Sequence, residues 1–127
     1  MTHRVIAAIT VLACAVTLES CLLRKSEEEN EGPPPETLLS VENRHWSDVT
    51  IYVLRGNARV RMGTVTSMNT VRFVFPAVLV GNVTDIRLMA DPIGNDPYVS
   101  EPVTVGPGDL VEFRLANDLT HSSVWVR

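Results

Sequence analysis

From Thr37 onward the apolar positions recur at every second residue. Val49, Ile51 and Val53 alternate with Thr50 and Tyr52, and Val60 and Met62 alternate with Arg59 and Arg61. Val71, Phe73 and Phe75 flank Arg72, and Ile86, Leu88 and Ala90 flank Arg87. Val103 and Val105, then Val111, Phe113 and Leu115, and finally Val124 and Val126 continue the pattern. A period of two places one face of each run against a core and the other in water, which is the signature of strands with one buried face. Turn chemistry separates the runs. Gly56-Asn57 predicts a hairpin between Val49–Leu54 and Arg59–Val65. Pro76 ends the fourth run, because it cannot donate to a ladder. Gly106-Pro107-Gly108-Asp109 places Pro and Gly where a type II turn needs them. With Leu38–Glu42 included, about eight strands are spaced roughly ten residues apart, which predicts an all-β, single-domain sandwich, immunoglobulin-like or related, over residues 37–127, with a small barrel as second choice. Phe73, Phe75, Phe113 and one or both tryptophans are expected in its core. No amphipathic helix is expected there, and Pro76 to Val83 reads as a connection.

The first 36 residues follow another grammar. After His3 and Arg4, Val5 to Leu18 is apolar except for Thr10 and Thr17, and Leu18-Glu19-Ser20-Cys21 closes the run. A charged start, an apolar centre and a small residue before the closing position read as a targeting segment, residues 1–20. The closing tetrad resembles the lipobox of bacterial lipoproteins, with an aliphatic residue at −3, a small one at −1 and then the cysteine; Glu19 departs from the small or apolar residue usual at −2. The resemblance implies cleavage before Cys21 and acylation of Cys21, anchoring the chain to a membrane; more than one acyl chain gives stable anchoring. Leu22 stands where an Asp in that family signals inner-membrane retention, so the resemblance implies the outer membrane, facing the periplasm or the cell surface. Val11-Leu12-Ala13-Cys14 is a second box, leaving Cys14 as the alternative lipidation site. An uncleaved anchor fits less well. Val5 to Leu18 as a helix spans only about 21 Å, against roughly 30 Å of hydrocarbon. Extending it to Leu23 buries Glu19 and leaves Arg24 and Lys25 on the side that cations avoid.

Charge then divides the chain. Residues 21–36 form a tether that carries Glu27, Glu28, Glu29, Glu31 and Glu36 with Pro33 to Pro35. The stretch from Ser26 to Pro35 lacks apolar residues, so it has no area to bury against the entropy of ordering. Pro33 to Pro35 favour a stiff, extended spacer. Glu27 to Glu29 also resemble, loosely, the acidic surface-export signal of some lipoproteins. The remaining 91 residues hold nine acids and eight arginines but no lysine. That near-neutral balance excludes the basic footprint of a nucleic-acid binder. Only Arg55, Arg59 and Arg61 lie close enough in sequence to raise an anion-binding surface. Both cysteines lie in the first 21 residues, so the sandwich folds without a disulfide.

Little in the domain carries chemistry. His45-Trp46 falls between two strands and offers a binding patch, with Trp46 as a stacking surface for sugar or peptide. The plainer expectation is that Trp46 plugs one end of the sandwich and His45 is solvated. Gly108-Asp109-Leu110-Val111-Glu112-Phe113, followed by Asn117, Asp118 and His121, is similar to part of a cupredoxin, and that likeness implies a copper-binding role for His121. Blue copper also needs a Cys thiolate and a second imidazole; no Cys follows Cys21, and His45 is the second imidazole available. Asp91, Asn95 and Asp96 supply three hard oxygen donors where calcium takes six to eight. Asn82-Val83-Thr84 matches a glycosylation sequon, which carries no weight in a bacterial lipoprotein. No Gly-x-Ser-x-Gly, His-Glu-x-x-His or phosphate loop occurs. The expectation is therefore a non-enzymatic envelope protein without cofactor or metal. Its partners would be the membrane, through the lipid, and an envelope protein or glycan. His45, Trp46 and His121 are the weak contact candidates. The alternative is a small-ligand or metal carrier using His121 and His45.

Overall fold

The computed structural model describes residues 32–127. The targeting segment, both boxes with Cys14 and Cys21, and most of the tether lie outside the described residues. Residues 34–127 form one compact unit. Its strands are β1 (Leu38–Asn43), β2 (Val49–Arg55), β3 (Ala58–Val65), β4 (Thr70–Val74), β5 (Thr84–Pro92), β6 (Tyr98–Val99), β7 (Val103–Val105), β8 (Leu110–Leu115) and β9 (Ser123–Val126). One sheet runs β4-β1-β8-β9 and the other β3-β2-β5-β6, with β7 also pairing β5. The fold is thus the expected all-β sandwich. The strand absent from the sequence reading is β6, whose two residues are too few to show a period. The stretch after Pro76 is not wholly irregular: Ala77–Val80 forms a single helical turn that buries Leu79 and Val80.

The buried set follows the alternation. Leu39, Val41, Val49, Ile51, Val53, Leu88, Val111 and Leu115 are fully buried, with Ile86 and Phe113 nearly so, and they meet between the two sheets. The expected aromatic core is corrected in two respects. Phe75 and Phe113 are buried, but Phe73 is half-buried and packs against the buried cluster from its outside. Neither tryptophan enters the core: Trp46 is exposed, and Trp125 lies half-buried on the outer face while Val124 and Val126 pack inward.

Pairing orients the ends of the sandwich. β1 lies between β4, antiparallel, and β8, parallel, with Leu38 beside Val74 and Leu110 and with Asn43 beside Leu115. The chain therefore enters at the end that also holds the β2–β3 hairpin, the helical turn and Gly106–Asp109. At that end Thr37 donates its hydroxyl to the Gly106 carbonyl (2.9 Å) and accepts from the Gly108 amide (3.1 Å). Gly108 has φ +85° after Pro107, and the Asp109 amide reaches the Gly106 carbonyl (3.3 Å), as a type II turn requires. Gly56 at φ +55° opens the β2–β3 turn; Asn57 keeps a negative φ, so the turn has the φ pattern of type II′. The opposite end gathers residues 44–48, 66–69, 93–97 and 116–122. β1, six residues long, separates the two ends by about 20 Å at ~3.3 Å per residue.

Candidate functional site

The loop end is built on a run of inward polar residues. The alternation of β1 continues past its last residue, so Asn43, His45 and Ser47 all point inward and are buried. Burial obliges each polar group to find a partner, and here each does. Asn43 donates to the carbonyls of Ser47 (3.0 Å) and Val65 (3.1 Å) and accepts from the His45 amide (2.9 Å). The Ser47 amide donates to His45 Nδ1 (3.1 Å), and the Ser47 hydroxyl lies 2.9 Å from the same nitrogen. Nδ1 is thus the acceptor, which places the ring proton on Nε2. The loop is stitched outward as well: Ser67 donates its hydroxyl to the His45 carbonyl (2.8 Å), and the Ser67 amide donates to Asp48 Oδ1 (3.0 Å).

The plain expectation for this pair is therefore reversed. His45 is 3% exposed and fills the end of the sandwich; Trp46 is 64% exposed and stands clear of it. The His45 ring backs the indole at 5.2 Å between centroids, tilted by 33°. Trp46 forms one wall of a cleft of about 260 Å³ that also involves His45, Asn95, Asp96, Asn117, Asp118, Leu119 and Thr120. The 3₁₀ turn Leu119–His121 shapes the far wall. Leu119 is buried under it, and Asp118 caps it by accepting from the Thr120 amide (3.1 Å) and hydroxyl (2.8 Å). Those Thr120 hydrogen bonds, with a further contribution from His121, hold the Asp118 carboxyl below the usual aspartate range. Asn95, Asp96 and Asn117 make no side-chain hydrogen bond among the described residues.

His121 is not in the cleft. Its Nδ1 lies 3.1 Å from Asp118 Oδ2 on the exposed side of the 3₁₀ turn. The three expected oxygen donors also divide: Asn95 and Asp96 reach the cleft wall, while Asp91 belongs to β5 opposite Thr50. Among the described residues no three His, Cys, Asp or Glu side chains are grouped to hold a metal ion. The contributions of Asn43 and of Asn117 to Thr120 were missed in sequence. A polar residue on the inward parity of a strand was the available signal for Asn43.

A second polar area covers the outer face of the β4-β1-β8-β9 sheet. The Trp125 indole N–H donates to Glu112, which also pairs with Arg127 (2.7 Å). Arg114 sits 5.1 Å from the Trp125 ring centroid and bonds Glu42 (2.9 Å), and Arg44 bonds Glu42 as well (2.6 Å). The hydrogen bonds from Arg44 and Arg114 hold the Glu42 carboxyl below its usual value. The stability they contribute is present above the unfolded-state pKa and is lost as pH falls through the depressed folded value. The three arginines close enough in sequence to raise an anion surface are engaged separately. Arg55 donates to the carbonyls of Val78 (3.0 Å) and Leu79 (3.1 Å), Arg59 lies 4.1 Å over the Tyr52 ring, and Arg61 donates to the Thr64 hydroxyl (3.0 Å).

Fold and site together define a small two-sheet β-sandwich with a polar, tryptophan-walled cleft among the loops of one end. No family model matches the chain, and no curated protein matches it. Among solved structures it is similar to the NMR structure of a protein from Eubacterium rectale, with a TM-score of 0.49 and 15% identity, covering 76% of this chain and 92% of that one.

Proposed function

We propose that this chain is a lipid-anchored protein of the bacterial cell envelope, held at the outer membrane through Cys21, and that its β-sandwich is a non-enzymatic binding module. The observation that carries the reading is polarity of the domain. The chain enters at one end, and the exposed Trp46, the cleft and four connecting segments occupy the other. The spacer of residues 21–36 joins the domain at the end opposite the cleft, and the loop end is where a soluble or surface partner is proposed to bind. The lipobox-like Leu18-Glu19-Ser20-Cys21 and the Glu- and Pro-rich spacer support the anchor. The metal-carrier reading gains no support, because His45 Nδ1 is engaged by Ser47 and His121 pairs with Asp118 without lining the cleft.

Detergent phase partitioning of cell extracts tests the anchor. Wild type is expected in the detergent-rich phase and Cys21→Ala in the aqueous phase. If both variants enter the detergent phase, Cys21 is not the anchor and Cys14 or an uncleaved leader takes its place.

A further inference from the structure

The cleft at the loop end has a chemistry of its own, and we propose that it binds a neutral saccharide, with Trp46 as the stacking surface. This rests on the binding-module reading and names the ligand class of that site. A pyranose ring presents C–H groups on one face and a rim of hydroxyls that both donate and accept. Its recognition needs a flat apolar surface bordered by polar groups of both kinds. Trp46 supplies the surface. Trp46 is 64% exposed, and its indole has on one side the His45 ring, which is held in turn by Ser47 and the buried Asn43. A tryptophan, with only two side-chain torsions, loses little conformational freedom on binding.

The border is polar in the required way. Asn95 and Asn117 bring amides that donate and accept, Asp96 brings an acceptor, and the side chains of the three make no hydrogen bond among the described residues. The cleft volume of about 260 Å³ is just below the range of drug-sized pockets and suits one or two sugar rings. Charge narrows the class further. Asp96 and Asp118 border the cleft and no Lys or Arg does, so a uronate, a sialylated or a phosphorylated sugar meets like charge without a counter-ion. An apolar protein partner would instead engage Met68 and Ile93, which are 73% and 69% exposed on the neighbouring loops and do not border the cleft.

The test uses the full-length chain in detergent with Trp125→Phe, which leaves Trp46 as the single tryptophan. Cellotetraose, chitotetraose and maltotetraose are titrated against Trp46 emission, with tetragalacturonate as the anionic probe. At least one neutral probe is expected to saturate at or below about 1 mM, and the anionic probe is not. By calorimetry Trp46→Ala and Asn117→Ala should each weaken binding about tenfold or more, with unchanged melting temperatures, while Met68→Ser and Ile93→Ser leave it intact. Absence of saturation by every neutral probe at about 10 mM overturns the proposal, as does binding that survives Trp46→Ala. A protein partner lost on Met68→Ser or Ile93→Ser, with no saccharide response, overturns the saccharide while preserving the binding module. Failure of the anchor reads out separately, in the detergent partitioning of Cys21→Ala.

Discussion

His45 and Trp46 are adjacent residues with opposite environments, and parity explains why. From Leu39 to Val53 the odd-numbered side chains point inward without a break, through the end of β1, the 44–48 loop and into β2. Asn43, His45 and Ser47 therefore occupy core-facing positions, and Trp46, the larger and more apolar residue, falls on the outward parity. Hydrophobicity alone assigns the pair the other way round; the period carried across the loop assigns it correctly. What the sequence does not display is the closed hydrogen-bond set that makes the polar run tolerable. Asn43→Ala removes three hydrogen bonds and strands the amide of His45, so it is expected to cost about 2–4 kcal/mol in urea unfolding. Trp46→Ala, by contrast, should stay within about 0.5 kcal/mol of wild type. Equal losses for the two would mean that Trp46 holds the loop end as much as Asn43 does.

Among the elements, the strands with clean alternation were legible, and the irregular ones were not. β2, β5 and β8 bury the residues their period selects. β3 departs from it. Its register against β2 shifts between Ile51 and Tyr52, so Ile51 faces Gly63 and Tyr52 faces Arg61, and Met62 is the extra residue of a bulge. Beside it the Phe73 ring of β4 lies over Gly63: a Cβ there would meet Phe73 Cε1 at 2.7 Å. That contact places Phe73 at the rim of the sandwich rather than its centre. It also explains the glycine, since an aromatic ring covers a backbone position that holds no side chain. Gly63→Ala must displace the ring and is expected to destabilise by about 1–3 kcal/mol, measured by thermal or urea unfolding. Unchanged stability would mean that the ring is free to swing away. β6 was invisible because two residues define no period. Trp125, with no place in the core, stays on the surface with Glu112 and Arg114 as its partners.

For the whole molecule, direction matters more than any one contact. Chain entry, helical turn and the Gly106–Asp109 turn share one end, and the cleft lies about 20 Å away at the other. The sandwich was legible in the alternation, and the anchor was expected from the lipobox-like tetrad. The sequence could not show that chain entry and the cleft lie at opposite ends of the domain, because that depends on the parallel pairing of β1 with β8, between residues some 70 apart. Nor could it show the cleft, whose walls come from three connections distant in sequence. The arrangement has meaning for function only if Cys21 is the point of attachment. Intact-mass spectrometry of the protein extracted from membranes, with fragmentation of its N-terminus, tests that directly. The account predicts a chain that begins at residue 21 and carries acyl chains on that cysteine. A chain that retains residues 1–20, or one modified at Cys14, would contradict it.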